Sequence, residues 1–385
     1  MSSKPHLLHI DCLRGYAILM VMACHTAGLF RDLPWRFAQL FASGWHGVQL
    51  FFLASTFTLL MSVEWEAARY GRVDWMNFFI RRYFRIAPAY YVAAIVYVAL
   101  DPARWQSLGG AAAFGLFLNS WLPFKFGQAL VPGGWSISVE FSFYVLFPLI
   151  ASCCASVGRA VILLLISIVI AGVGNGLAEH WLSGRLSADE LANYIYFSFW
   201  NQLPIFALAN LVYHAAYREN VKSRSQVTER SRSPLAVSLG LLLGVLAVAA
   251  YLPLPRSFGP HSPWIPSFFF AAVCMAGICL IVAREWPRWM INPWVAALGK
   301  VSFSAYLWHW LVLERLPKLT WGSWLVGQSR LAAMAAYFVA LLLVVAFTWL
   351  LAEVSYRLVE TPGIALGRKL VRRVAIPAAA HVVQA

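Results

Sequence analysis

Helix-length apolar stretches, separated by short polar segments, account for most of this 385-residue chain. The alternating apolar and polar positions of barrel strands are absent, so the pattern predicts an all-α polytopic integral membrane protein. Eleven candidate stretches lie near residues 10–30, 45–63, 86–100, 106–122, 136–155, 159–177, 192–216, 234–252, 264–283, 293–312 and 330–354.

The weakest of these stretches is 106–122, which is rich in glycine and ends in Asn119 and Ser120. If it crossed the membrane, the basic segment 217–233 would lie outside, against the tendency of basic loops to remain in the cytoplasm. We therefore expect 106–122 to be re-entrant or interfacial. About ten transmembrane helices would then remain, with both termini in the cytoplasm.

The composition adds to this picture. The chain is 61% hydrophobic and 12% charged, and its net charge of +14 comes from basic residues in the short segments between apolar stretches. That placement indicates membrane orientation, with the lipid bilayer rather than nucleic acid as a partner. The six cysteines show no metal-ligand spacing, so no metal is expected. We expect a transmembrane domain over 1–362, a basic cytoplasmic tail over 363–385 and no appended extracytoplasmic domain.

Two ionisable residues stand out in the first apolar stretch, Arg14 and His25. Eleven helical steps bring them to within roughly 20° of the same direction and separate them by about 16 Å. Arginine binds phosphate well, and histidine exchanges a proton near neutral pH. Their position on one face of the helix indicates a ligand that lies along the helix, with an anionic part bound near Arg14 and the reacting group near His25. Alternatively, Arg14 anchors the helix at the membrane surface and His25 bonds a neighbouring helix.

A second basic group, Arg81, Arg82 and Arg85, precedes the third apolar stretch. Spacings of three and four residues place Arg85 next to each of the other two on a helix, which suits phosphate groups on the cytoplasmic side. The alternative is a positive-inside stop signal.

Glu140 is the single acidic residue of the stretch that follows the turn Pro132-Gly133-Gly134. If this helix enters from the outer side, Glu140 lies toward the same side as His25 and can orient its imidazole as the carboxylate partner of a base. Alternatively, Glu140 has no catalytic role and its carboxylate is simply stabilised by the helix dipole near the start of the helix.

The stretch near 293–312 places Ser302, Tyr306 and His309 on one helix face. In the ten-helix topology, His309 also lies toward the outer leaflet. An interfacial Trp-His-Trp belt is the alternative interpretation.

Taken together, these segments resemble the signature motifs of the membrane-bound acyltransferase family 3, which O-acylates sugars and related acceptors. The similar segments are Arg14-x10-His25, Arg81-Arg82-x-x-Arg85-Ile-x-Pro88, Trp135-Ser-x-Ser138-x-Glu140, Leu298-Gly-x-x-Ser302-x-x-x-Tyr306-Leu-x-His309 and Glu360-x-Pro362.

The resemblance implies transfer of an acyl group, acetyl being the expected one, from cytosolic acetyl-CoA to a hydroxyl of a glycan or glycan-like acceptor on the outer side. His25 is the expected general base or acyl carrier, with Glu140 and His309 as its catalytic partners. Arg14, Arg81, Arg82 and Arg85 are expected to bind the CoA phosphates, and Trp135, Ser138 and Tyr306 to bind substrate.

The resemblance further implies a bacterial inner membrane, and either a self-sufficient transferase or one that uses a separate extracytoplasmic partner protein. A different class of function fits the same residues. A secondary transporter or glycan exporter could use the Arg, His and Glu residues as a relay. An enzyme should consume acyl-CoA and depend on His25, whereas a transporter should move solute without it.

Overall fold

A computed structural model describes residues 8–105, 107–123, 130–218, 267–283, 290–320 and 329–379. These residues form helices without any β-strand. In chain order the helices are α1 Leu8–Ala27, α2 Trp35–Ala42, α3 Gly47–Tyr70, α4 Trp75–Leu100, α5 Leu108–Gly115, α6 Gly134–Cys153, α7 Val157–Leu182, α8 Ala188–Phe197, α9 Phe199–Val212, α10 Ser267–Ala283, α11 Pro293–Lys300, α12 Ser302–Thr320, α13 Arg330–Ser355 and α14 Thr361–Ala379.

Five helical segments within the described residues are long and apolar enough to cross a bilayer. They are Trp35–Tyr70, Trp75–Leu100, Gly134–Cys153, Val157–Leu182 and Arg330–Val371. The all-helical membrane fold is thereby confirmed, whereas the count of ten spans and the orientation of the termini stay predictions. The expected span 234–252 and the basic segments 219–233 and 284–288 lie outside the described residues.

Helix α1 is not one of these five, because polar residues interrupt its apolar sequence. Its 20 residues nevertheless extend over about 30 Å, the thickness of the hydrocarbon core. By contrast, α5 has eight residues and is about 12 Å long, so it is too short to cross the membrane alone. This short helix lies within the stretch 106–122, where a re-entrant or interfacial segment was expected.

Glycines allow α1 to pack closely against α11. A Cβ atom on Gly299 would lie 1.7 Å from the carbonyl oxygen of Asp11, and one on Gly15 would lie 2.1 Å from that of Val295. Side chains larger than hydrogen therefore do not fit here, as at other membrane helix contacts built on small residues. The close approach fixes the start of α12, which follows α11 after one residue.

Helix α3 runs antiparallel to α1. Gly44 and Gly47, at its start, lie against Met20 of α1, and Thr58, three turns further along, accepts a hydrogen bond from Arg14. The beginning of α3 therefore lies against the half of α1 that carries His25, and its middle contacts Arg14.

Helix α14 continues the chain beyond residue 362, where a basic tail was expected. Its glycines Gly363 and Gly367 pack against Phe84 of α4, and a five-residue π-helical turn, Tyr356–Glu360, joins it to α13. Residues 361–379 therefore form a helix on the bundle, next to the arginine-bearing part of α4.

Candidate active site

A cavity opens between α1, α3, α4, α6 and α12, with about 700 Å³ of empty space. Part of this space is open to solvent. Its charged side chains are Arg14, Arg82, Arg85 and Glu140. Its other polar side chains are Ser55, Ser136, Tyr144, Ser302 and Tyr306, and its apolar ones are Val48, Phe51, Phe52, Leu59, Ile86, Ile137 and Phe303.

The three cavity arginines have few polar partners. Arg14 donates one hydrogen bond from Nη2 to Thr58 Oγ1 at 3.0 Å. Arg82 lies over the rings of Phe78 and Tyr144 at 5.5 and 5.8 Å, and its buried Nε has no hydrogen-bond partner among the residues that the structure describes. Within the described part of the chain, none of the three forms an ion pair with a carboxylate. Most of their donors are therefore available to an anionic ligand.

Arg81 is placed differently from Arg82 and Arg85. Its Nη2 lies 2.6 Å from Glu66 Oε2 on α3, and the side chain does not line the cavity. Glu66 also accepts a hydrogen bond from the backbone N–H of Asp74, which caps α4. Arg81 thus joins the α3–α4 connection, and its expected role in phosphate binding stays a prediction.

Glu140 forms hydrogen bonds with groups other than the imidazole of His25, its predicted partner. Its carboxylate accepts hydrogen bonds from Ser55 Oγ at 2.8 Å and from the Tyr144 hydroxyl at 2.5 Å. Its partner Ser55 lies in the middle of α3, about two turns from the start of that helix. The start of α3 is the part that lies against the His25 half of α1. Glu140 and His25 are therefore at different depths in the membrane. The expectation that Glu140 directly orients His25 is therefore corrected, since Glu140 shares the cavity with the arginines.

Tyr306 joins the cavity to the histidines. Its hydroxyl accepts from Ser136 Oγ at 2.9 Å and donates to the carbonyl oxygen of Gly133 at 3.2 Å. Gly133 has a φ of +77°, and a Cβ there would lie 2.7 Å from the Tyr306 hydroxyl, so both the turn and the contact require glycine. The Pro-Gly-Gly turn therefore binds α12 to the start of α6.

His25 and His309 come together beyond Tyr306. Their ring centroids are 5.5 Å apart at an interplanar angle of 25°, and Trp310 lies 4.4 Å from the His25 ring. His309 is fully buried, and its Nδ1 is 2.7 Å from the carbonyl oxygen of Tyr306, while no described residue forms a hydrogen bond with its Nε2. Because a carbonyl only accepts, Nδ1 carries the proton and Nε2 has a free lone pair.

Two predicted substrate residues, Ser138 and Trp135, have structural partners. Ser138 Oγ donates to the Phe117 carbonyl oxygen and accepts from the Ser120 N–H, at 2.5 and 3.1 Å. The ring of Trp135 stacks on Phe197 with centroids 4.6 Å apart. Substrate binding by these two residues stays a prediction, and the cavity contains Ser136 rather than Ser138.

Further functional candidates emerge from the structure alone. Ser55 and Thr58 are one turn apart on α3 and contact Glu140 and Arg14, but nothing in a mostly apolar helix marks them. Tyr144 is four residues after Glu140, so helix spacing could have revealed it. Glu360, from the Glu360-x-Pro362 segment, is almost fully buried and accepts from Ser304 Oγ at 3.0 Å. No group of three or more potential metal ligands occurs among the described residues.

Comparisons with known proteins agree with this arrangement. The profile of an acyltransferase domain family, acyltransferase 3, matches residues 7–353. The chain is 24% identical to an O-acetyltransferase OatA of Staphylococcus aureus over 94% of this chain and 58% of that protein. It is 26% identical to a putative membrane-bound transacylase BcsY of Komagataeibacter xylinus, over 92% and 82% of the two chains.

A peptidoglycan O-acetyltransferase OatA of Listeria monocytogenes is 23% identical over 94% of this chain and 56% of that protein. This chain thus covers somewhat more than half of the length of the OatA proteins. No solved structure shows a significant match. Because the family profile covers nearly the whole chain and its helices are those of a membrane protein, the chain belongs to acyltransferase family 3, the membrane-bound acyltransferases.

Proposed function

We propose that this protein transfers an acyl group, acetyl being the expected one, from cytosolic acyl-CoA to a hydroxyl of a glycan on the outer side of a bacterial inner membrane. The observation that carries the proposal is a cavity whose three arginines form no ion pair with a carboxylate of the described residues, and whose wall includes Tyr306, the neighbour of a pair of stacked histidines. Relatives named O-acetyltransferases support the acetyl group and the hydroxyl acceptor.

The donor end of the site consists of Arg14, Arg82 and Arg85. Guanidinium groups form strong, often bidentate, hydrogen bonds with phosphate oxygens. The apolar cavity wall, with Phe51, Phe52 and Ile137 among its residues, suits the pantetheine arm of CoA. In this arrangement the phosphates occupy the arginine end and the thioester reaches toward Tyr306 and the histidines. Arg81 supports the site through Glu66.

His25 is the proposed general base. It takes the proton of the acceptor hydroxyl while the oxygen attacks the thioester carbonyl, and it returns that proton to the CoA sulfur when the carbon–sulfur bond breaks. An acyl-His25 intermediate is the second route, in which the imidazole attacks the thioester first. Both routes give free CoA and the acyl ester.

His309 is the proposed second catalytic residue. With Nδ1–H bonded to the Tyr306 carbonyl, its Nε2 accepts a hydrogen bond and cannot donate one while the ring is neutral. This favours binding of the acceptor hydroxyl, or of the His25 ring N–H, over stabilisation of an oxyanion. Glu140 compensates part of the positive charge of the arginine cavity, and Tyr306 orients His309 and borders the substrate path.

Two further features belong to the proposal. The chain spans 58% of the length of the Staphylococcus aureus OatA relative. We propose that the acyl transfer takes place in the membrane domain, either alone or together with a separate extracytoplasmic partner protein. The exporter alternative is less favoured, because the family to which the chain belongs is one of acyltransferases.

The test is release of free CoA from acetyl-CoA by the purified protein in nanodiscs, beside equilibrium binding of CoA. We expect wild type to bind CoA and release it from acetyl-CoA, and His25→Ala to bind CoA without turnover. His180→Ala is the matched control, since His180 is exposed at the end of α7. If folded wild type neither binds nor turns over acetyl-CoA, with or without added glycan, the proposal is contradicted. The exporter alternative would then be favoured.

A further inference from the structure

Helix α12 presents Tyr306 and His309 to the site, and the end of α4 holds this helix from the opposite side. Tyr97 of α4, 1% exposed, donates a hydrogen bond from its hydroxyl to the carbonyl oxygen of Leu307 at 3.0 Å. Its ring also lies nearly parallel to that of Trp308, at an interplanar angle of 13°. The residues contacted are the two between Tyr306 and His309.

An ion pair makes a second connection between the same elements. Arg104, in the 3₁₀ turn Pro102–Arg104 after α4, places Nη2 2.6 Å from Glu314 Oε1 on α12. Its Nε lies 3.3 Å from Asp101, and its guanidinium carbon is 5.2 Å from the centroid of the Tyr97 ring. The Arg104 side chain is 19% exposed, so this pair is better shielded than an ordinary surface salt bridge.

These two connections bracket His309 along α12. Leu307 is two residues before it, and Glu314 is five residues after it, about one and a half turns further. The helix is therefore held on both sides of the imidazole and cannot slide or rotate without breaking a buried hydrogen bond or a shielded ion pair.

We propose that Tyr97, Arg104 and Glu314 are positioning residues that fix His309 against His25. They touch neither histidine, so they act through the placement of α12. This inference rests on the proposed function, because its effect on rate requires that the histidine pair carries out the reaction. Displacement of reacting groups by about 1 Å can lower a rate by about 100-fold.

The experiment compares Tyr97→Phe, Arg104→Gln and Glu314→Gln with wild type in nanodiscs. Tyr97→Phe keeps the ring and removes the hydroxyl alone. We expect each variant to bind CoA within about twofold of wild type and to release it from acetyl-CoA about 10- to 100-fold more slowly. Arg104→Lys, which keeps the charge, should recover part of the lost rate.

The matched control is Arg357→Gln. It removes another 2.6 Å arginine–glutamate pair, with Glu353, from the exposed side of α13, where the arginine is 73% exposed. We expect this control to leave both binding and rate unchanged. A second measurement is amide hydrogen exchange over residues 302–314, which should become faster in Arg104→Gln and stay unchanged in Arg357→Gln.

The outcomes separate the two proposals. Variants that unfold more easily but keep the wild-type rate, or variants that lose CoA affinity and rate together, would overturn the positioning role. An Arg104→Lys variant no faster than Arg104→Gln would also oppose it. If wild type itself releases no CoA, the proposed function is wrong. Independently of that result, unchanged amide exchange in Arg104→Gln would show that the ion pair does not fix the position of α12.

Discussion

The imidazole of His25 stacks on that of His309 at a centroid distance of 5.5 Å, although the two residues are 284 positions apart in the sequence. Trp310 closes one side of the pair, and the Tyr306 carbonyl fixes the proton of His309 on Nδ1. A histidine whose Nε2 is an acceptor next to a second imidazole provides a place where a hydroxyl proton can be received.

Replacement of either histidine should separate chemistry from donor binding. We expect His25→Ala and His309→Ala to slow CoA release from acetyl-CoA by about 100-fold or more, the usual effect of losing acid–base catalysis. CoA affinity, measured by calorimetry in nanodiscs, should stay within about twofold, because the arginines bind the phosphates elsewhere. Equal loss of affinity in both variants would show that the histidines belong to the donor site.

Replacement of the cavity arginines should have the reverse effect. A hydrogen bond to a charged group contributes about 1.5–3 kcal/mol, which is about 10- to 100-fold in affinity. We therefore expect Arg14→Gln, Arg82→Gln and Arg85→Gln each to weaken CoA binding by about that factor. Calorimetry with CoA, and with dephosphorylated pantetheine as the ligand without phosphates, measures the difference, and pantetheine binding should change little.

Arg81→Gln is the matched variant for this series, since Arg81 belongs to the same basic group but pairs with Glu66 outside the cavity. We expect a lower melting temperature with CoA affinity close to wild type. If Arg81→Gln weakens CoA binding as much as Arg85→Gln does, Arg81 contacts the phosphates directly, as the sequence analysis expected.

Glu140→Gln distinguishes two roles for this carboxylate. Beside three arginines, Glu140 lowers the net positive charge of the cavity, so its neutralisation should leave CoA binding equal or make it tighter. We expect the rate of CoA release to fall less than in His25→Ala, because Glu140 bonds Ser55 and Tyr144. Parallel titrations and rate measurements on both variants decide this. A loss of rate as large as that of His25→Ala would support a direct catalytic role.

The sequence predicts local relationships well. Arg14 and His25 share one helix, so their common stripe follows from the helical period. Which face of α4 points into the cavity was not predictable in the same way. Arg81 and Arg82 are neighbours and differ by about 100° in direction, and which of them faces the cavity depends on the rotation of α4 against α6 and α14. Sequence spacing alone does not contain that rotation.

The depth of Glu140 was beyond prediction for a related reason. The sequence indicates which side of the membrane α6 starts from, but the vertical position of a helix is set by its contacts. Here the Tyr306 hydroxyl contacts the Gly133 turn, and Ser55 reaches Glu140. Those contacts join helices far apart in sequence and place Glu140 with the arginines instead of with His25.

The contact between α1 and α11 gives a final prediction, on stability. A methyl group on Gly299 would collide with backbone atoms of Asp11, which cannot move as a flexible side chain can. We expect Gly299→Ala to cost about 1–3 kcal/mol, to lower the melting temperature in nanodiscs and to slow CoA release, because α1 carries His25 and α11 leads into the helix of His309. Gly176→Ala on α7 is the control, since no atom of the described residues lies within 4 Å of its added carbon. There alanine should leave stability unchanged or raise it, as helix propensity predicts. If both variants have the same melting temperature, α1 and α11 are not in close contact. Contacts other than this one would then have to fix the positions of the two histidines.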